Sequence, residues 1–142
     1  MIKNVNKTYF NKFLGSGTGR LELPQYQRSF SWNKSNISDF MKDLKLHAFS
    51  VEEDVWYLGS FFTVKTTAVS KEILDGQQRL TTFFILLKEL TLFNFDIEDL
   101  DNRNKFRDLA LSKLTKFIFS DDDSPRLTLD LGNQECFHDY LR

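Results

Sequence analysis

The chain has 142 residues, 41% of them apolar and 15 of them Phe, with a formal net charge of −1. That is enough chain for one domain with a real core, and too many aromatics for a disordered tail. The charge excludes a global basic field for a nucleic-acid backbone, and the single cysteine, Cys136, excludes an internal disulfide.

Residues 1–7 have no apolar run behind them, so no signal peptide is expected. The stretch Tyr9, Phe10, Phe13 and Leu14 has helical spacing. Gly15 to Gly19 then breaks the helix. It reads as a flexible loop, and the rival reading is a phosphate-binding nest, here without the lysine and following helix of a P-loop. Leu21-Glu22-Leu23 alternates like a short strand ended by Pro24. Beyond it come Gln25-Tyr26-Gln27-Arg28 and, after Ser29, the capping residues Asn33 to Asn36. Ile37, Phe40, Met41, Leu44 and His47 predict an amphipathic helix, with His47 at its dipole-stabilised end.

Trp56 to Val64 reads as an aromatic-rich strand, 65–70 as a polar connection and Glu72-Ile73-Leu74 as a second strand, so a hairpin is expected. Asp75-Gly76 turns the chain into a helix from Gln77 to about Phe93, apolar nearly all round and therefore central. Thr81 and Thr82 belong to that helix. Its apolar run Phe83–Leu87 is far too short to cross a bilayer, so no membrane partner is expected. Residues 94–104 are a loop or a helix start, and Phe106 to Ile118 repeats at helical spacing. Ser120 to Pro125 is a surface turn whose adjacent aspartates diverge, which favours solvation over a metal. Leu127, Leu129 and Leu131 predict a last strand, and 133–142 a helix that has only begun. The chain thus reads as a single domain over 1–142, part of a longer protein or complex. His47, His138 and Cys136 cannot build a structural zinc site, and a reducing cytoplasm is the expected location.

Two polar clusters carry the chemistry. Gly76 permits a tight strand-to-helix turn, and the helix start beyond it offers free N–H groups and a positive dipole end. Arg79 adds a bidentate fork for phosphate oxygens, and Gln77 and Gln78 add amides in the first turn. Asp75 can hold magnesium, which takes one or two carboxylates plus substrate phosphates. Arg28 and Gln27 could meet the same phosphates from the other side. In the structural alternative, Arg28 or Arg79 simply pairs with Asp75 and ties two elements together. Neither cluster holds a nucleophile–base arrangement, so covalent catalysis is not expected.

Leu23-Pro24-x-Tyr26-Gln27-Arg28, Trp32, Asp43-Leu44, Tyr57-Leu58-Gly59-Ser60, Asp75-Gly76-Gln77-Gln78-Arg79-Leu80-Thr81-Thr82 and Arg126-Leu127-Thr128-Leu129 follow one another in a familiar order. In that order and spacing the chain resembles the N-terminal domain of GmrSD-type restriction endonucleases. The resemblance implies an α+β, ParB/sulfiredoxin-like fold, a small mixed sheet packed with several helices. It implies nucleoside triphosphate binding and hydrolysis with magnesium, through Asp75, Gln77, Gln78 and Arg79 and the upstream Gln27 and Arg28. It also implies a His-Asn-His-type nuclease domain in cis or trans, because two distant histidines cannot form one here. The expected function is therefore a nucleoside triphosphate-binding, magnesium-dependent NTPase domain of an anti-phage, modification-dependent restriction system. In this assignment Asp75, Gln77 and Gln78 are catalytic, Gln27, Arg28, Gly76 and Arg79 bind nucleotide, and Asp75 holds the metal. The alternatives are a DNA-binding module that senses modified DNA, and a non-catalytic interaction scaffold.

Overall fold

The computed structural model describes residues 4–15, 17–24, 30–48, 57–92, 100–129 and 134–141. In chain order these form α1 (Phe10–Leu14), β1 (Arg20–Glu22), α2 (Lys34–Ala48), β2 (Phe62–Lys65) and β3 (Ser70–Asp75). Then follow α3 (Gln77–Leu92), α4 (Leu100–Ile118), β4 (Leu127–Thr128) and α5 (Gln134–Leu141). The fold is α+β. The sheet order is β2-β3-β1-β4. β1 runs parallel to β3 and β4, and β2 closes one edge as the antiparallel hairpin partner of β3.

Side-chain alternation in the strands decides where the core lies. Leu21 is in register with Lys71 on one side and Leu127 on the other, so these three share a face with Ile73. Leu21, Ile73 and Leu127 are fully buried there. Lys71 reaches the same side, and its Nζ donates to the Phe13 carbonyl at 2.5 Å above the Phe13 ring. Burial, and secondarily the charge of Lys65 opposite it, pushes the Lys71 pKa down.

Leu80, Phe84 and Leu87 of α3 press onto this face, joined by Ile118, Phe137 and Leu141. Fully burying a side chain such as Phe84 stabilises by about 1.5–3 kcal/mol. Much of the phenylalanine content goes into one cluster. The Phe10 ring stands edge-on to Phe83 at 4.9 Å and lies 5.8 Å from Phe117. The Tyr140 hydroxyl donates to Glu89, tying α5 to α3. The central-helix expectation holds for the first turns of α3, whereas Leu90 and Leu92 near its end are exposed. Thr81 and Thr82 are buried helix residues, and the Thr82 hydroxyl donates to the Gln78 carbonyl.

α4 starts at Leu100, inside the stretch 94–104 that reads as a loop or a helix start. Two expectations need correction. The aromatic strand begins only at Phe62, because Gly59 adopts φ 111 and residues 57–61 leave the ladder. The Gly15–Gly19 loop is tied down rather than loose. Arg126, 5% exposed, donates to the carbonyls of Gly17 (3.0 Å), Gly19 (2.8 Å), Lys116 (3.0 Å) and Phe119 (2.9 Å). Two of the loop's carbonyls therefore turn toward a cation, the opposite of what an anion-binding nest presents. The predicted last strand is described only as Leu127–Thr128, and Leu131 lies outside the described residues.

The three aspartates behave as a turn. Asp122 accepts from Arg20 and the Ser120 hydroxyl, each at 2.5 Å, and from the Ser124 amide at 3.2 Å. Among the described residues no cluster of three or more acidic, His or Cys side chains could hold a metal. Among them, too, no helix is long and apolar enough to cross a membrane.

Candidate functional site

The end of β3 and the start of α3 form the junction that the sequence singles out. Gly76 sits at φ 89, where a side chain is strained, and its carbonyl accepts from the Leu80 amide at 3.0 Å to open the helix. An added Cβ would lie 2.5 Å from the Phe61 ring and 3.2 Å from the Ser60 carbonyl oxygen. Conformation and space both demand glycine at this corner.

The four polar residues around it go to different places. Gln77 is buried, and its amide nitrogen donates to the Ile73 carbonyl at 2.7 Å, locking α3 to β3. The Gln78 side-chain oxygen accepts from the Ser31 and Trp32 amides at 2.7 and 3.2 Å, fixing the approach to α2. Asp75 is exposed, and among the described residues its carboxylate has no hydrogen-bond or ion-pair partner. The Arg79–Asp75 pair of the structural alternative is therefore not formed.

Arg79 instead donates from Nη1 to the Ser60 carbonyl at 3.1 Å, with its guanidinium 5.7 Å from the Phe61 ring centroid. It lies against the backbone of Gly59, where a Cβ would fall 2.1 Å from Nη1 and 2.6 Å from the guanidinium carbon. Gly59 is a shelf that only a glycine can form. Among the described residues, Ser60 supplies the one acceptor bonded to this fork. A guanidinium has five N–H donors, so most of its capacity is left for something else.

Arg79 lines an open cleft of about 330 Å³. One wall is Trp32 with Asn36, Asp39, Phe40 and Asp43 of α2, and the other is Tyr57, Leu58 and Gly59, with Arg79 between them. Phe40 is the buried floor, and Trp32 stands against it at 5.7 Å. Tyr57 is 66% exposed, and its hydroxyl is bonded to that of Ser60 at 2.8 Å. Lys42 stands 3.7 Å from Asp39, a loose contact, and one partner of Asp43 is His47 at 3.6 Å.

The start of α2 sets the orientation of one wall residue. Asn33 caps the helix through its side-chain oxygen, which accepts from the Ser35 and Asn36 amides. Asn36 answers through its own side-chain oxygen, which accepts from the Asn33 amide at 3.0 Å. Its carbonyl end is thereby turned into the cap, and its NH2 end carries no bond to a described residue.

Of the expected site residues, Arg79 lines the cleft, Gly76 shapes the corner behind it and Gln78 positions Trp32 on the opposite wall. Asp75 is not among the lining residues. Gln27 and Arg28 lie outside the described residues. Sequence reasoning did not assign Asn36, Asp39, Tyr57 or Gly59 to the site. The polar side of α2 has the pattern of any solvated helix face, and the matching residues Trp32, Asp43 and Tyr57–Ser60 are the signal that points to this cleft.

Comparison with known families decides the kinship. A family model described as the GmrSD restriction endonuclease, N-terminal domain, matches residues 9–141. The chain belongs to this family. Its corner glycine, Arg79 and the Tyr57–Ser60 wall all fall within the matched residues, and membership ties the GmrSD-type domain to a restriction system. No individual curated protein matches the chain.

Proposed function

We propose that this GmrSD-type domain binds, and with its partners hydrolyses, a nucleoside triphosphate as the regulatory part of an anti-phage, modification-dependent restriction system. The observation that carries this reading is Arg79, a guanidinium seated on Gly59, bonded to the Ser60 carbonyl through a single donor and lining an open cleft. A fork of this kind suits the paired oxygens of a phosphate. Trp32 and Tyr57 offer aromatic surface for a base on the same cleft.

Asp75 would hold magnesium jointly with the phosphates, because its exposed carboxylate has no partner among the described residues. When bound, that ion supplies charge neutralisation on the phosphate oxygens. Arg79 binds the phosphates and orients them. Gln77 and Gln78 act as positioning residues, the first locking α3 to β3 and the second holding the Trp32 backbone. Gln27 and Arg28 complete the phosphate grip in this proposal. The nuclease that cuts DNA is a His-Asn-His-type domain in cis or trans, and the working location is the cytoplasm.

The test is a thermal-shift panel of nucleoside triphosphates with and without magnesium. A ligand that binds only the folded state at a hundred times its Kd stabilises by about 2.7 kcal/mol, so melting must rise. If no triphosphate raises it under either condition, the reading fails.

A further inference from the structure

The α2 wall of the cleft is asymmetric in its hydrogen-bonding capacity. The Asn36 side-chain oxygen is turned back to accept from the Asn33 amide, which leaves the NH2 group as a donor pair. Among the described residues that NH2 group has no bonded acceptor. One turn further, Asp39 presents a carboxylate, which only accepts, and its contact with Lys42 is long and solvent-exposed. Side chains three apart on a helix are neighbours, about 5–6 Å between Cβ atoms. The α2 wall therefore offers a donor pair and, one turn on, a double acceptor, across the cleft from Tyr57.

We propose that this wall selects a guanine base, with the Asn36 amide donating to O6 and the Asp39 carboxylate accepting from N1–H and the 2-amino group. The inference rests on the nucleotide-binding reading above and deepens it to the choice of base. Guanine is the one common base that offers an acceptor followed by two adjacent donors on its pairing edge. Adenine places a bare ring nitrogen against the carboxylate, and so does cytosine. Uracil has one donor between two carbonyls, so a carboxylate meets one N–H and one repelling oxygen. Trp32 and Tyr57 supply faces for stacking without choosing among bases. Arg79 marks the phosphate end of the same cleft. Asp43, one turn beyond Asp39 and already partnered by His47, keeps the wall negative and further disfavours bases that present lone pairs.

Isothermal titration of the whole chain, with magnesium, against GTP, ITP, ATP, UTP and XTP tests this. GTP is expected to bind about tenfold to a hundredfold more tightly than ATP or UTP, with ITP, which lacks the 2-amino group, in between. Asp39→Asn replaces one acceptor by a donor. It is expected to lose the preference for GTP and gain one for XTP, whose C2 carries a carbonyl. Asp39 is solvent-exposed, so the unliganded melting temperature should not move, and a structural role for it would produce no gain for XTP. Equal affinity for all five triphosphates overturns the guanine assignment while leaving triphosphate binding in place. So does equal loss of all five in Asp39→Asn, which would make the carboxylate a cation ligand. Binding of none overturns both.

Discussion

Two arginines in this molecule do opposite things with the same side chain. Arg126 is buried, and its guanidinium is spent on four backbone carbonyls drawn from the glycine loop and the end of α4. Burial pushes its pKa down, and Asp121 works against that shift. Arg79 is half-buried, seated on a glycine, and gives a single donor to the protein. A guanidinium whose donors are taken up by several carbonyls from distant parts of the chain holds a fold together. One that is held in place yet mostly unused is ready for a ligand. The difference lies in the acceptors supplied, and it can be broken or sharpened by substitution.

The largest effect is expected at Arg126. Arg126→Ala takes the guanidinium away from four carbonyls, of which that of Gly17 keeps the Asp121 amide, and opens a void under the loop. Hydrogen bonds to charged groups contribute roughly 1.5–3 kcal/mol each and are not additive, so about 3–5 kcal/mol of stability should be lost. Urea unfolding measures it. A loss below about 1 kcal/mol would show that water replaces the guanidinium, and the contrast drawn here would dissolve.

Gly59→Ala comes next, because it strikes Arg79 through its seat. A residue other than glycine at φ 111 is strained by about 1–3 kcal/mol, and the added methyl occupies the guanidinium's position. Stability should fall by that amount, and triphosphate affinity should fall as in an arginine deletion although Arg79 is intact. Retained affinity would show that the fork needs no shelf.

Arg79→Ala should leave the melting temperature within a few degrees of wild type, since it surrenders one protein hydrogen bond and one ring contact. Triphosphate affinity should drop about tenfold to a hundredfold. Calorimetry showing unchanged affinity removes Arg79 from the site and leaves the two arginines alike in being structural.

The contrast between the arginines is only partly legible in the chain itself. Arg79 stands out because Gly76 precedes it at a strand-to-helix turn, and local spacing is enough to read that. The partners of Arg126 lie 10 and 7 residues before it in one case and 109 and 107 in the other. No local pattern joins a glycine loop to a distant arginine, so that loop read as loose. The helices were readable because burial repeats along them, as at Leu80, Phe84 and Leu87. The aromatic strand was overextended because Gly59 looks the same in a strand as in a corner until its φ is known. The α2 wall stayed invisible for a related reason. Asn36 has a cap's composition, and which end of its amide points outward depends on the reciprocal bond to Asn33.

The smallest effect concerns the turn beneath Arg126. Asp122 is held at about 2, first by the Ser120 hydroxyl and then by the Ser124 backbone amide, with Arg20 adding less. An unfolded aspartate titrates near about 3.9. A folded pKa below the unfolded one stabilises the native state above the unfolded value, and that contribution fades as pH falls from about 4 toward 2. The side chain is exposed, so solvent screens it and the gain is modest. Wild type should lose stability more steeply than Asp122→Asn over that acid window, and the two curves should run parallel above pH of about 5. Urea midpoints at several acidic pH values resolve the slopes. Parallel curves throughout would mean that the turn is not held by this carboxylate, and the loop would then owe its position to Arg126 and to the Asp121 amide on the Gly17 carbonyl.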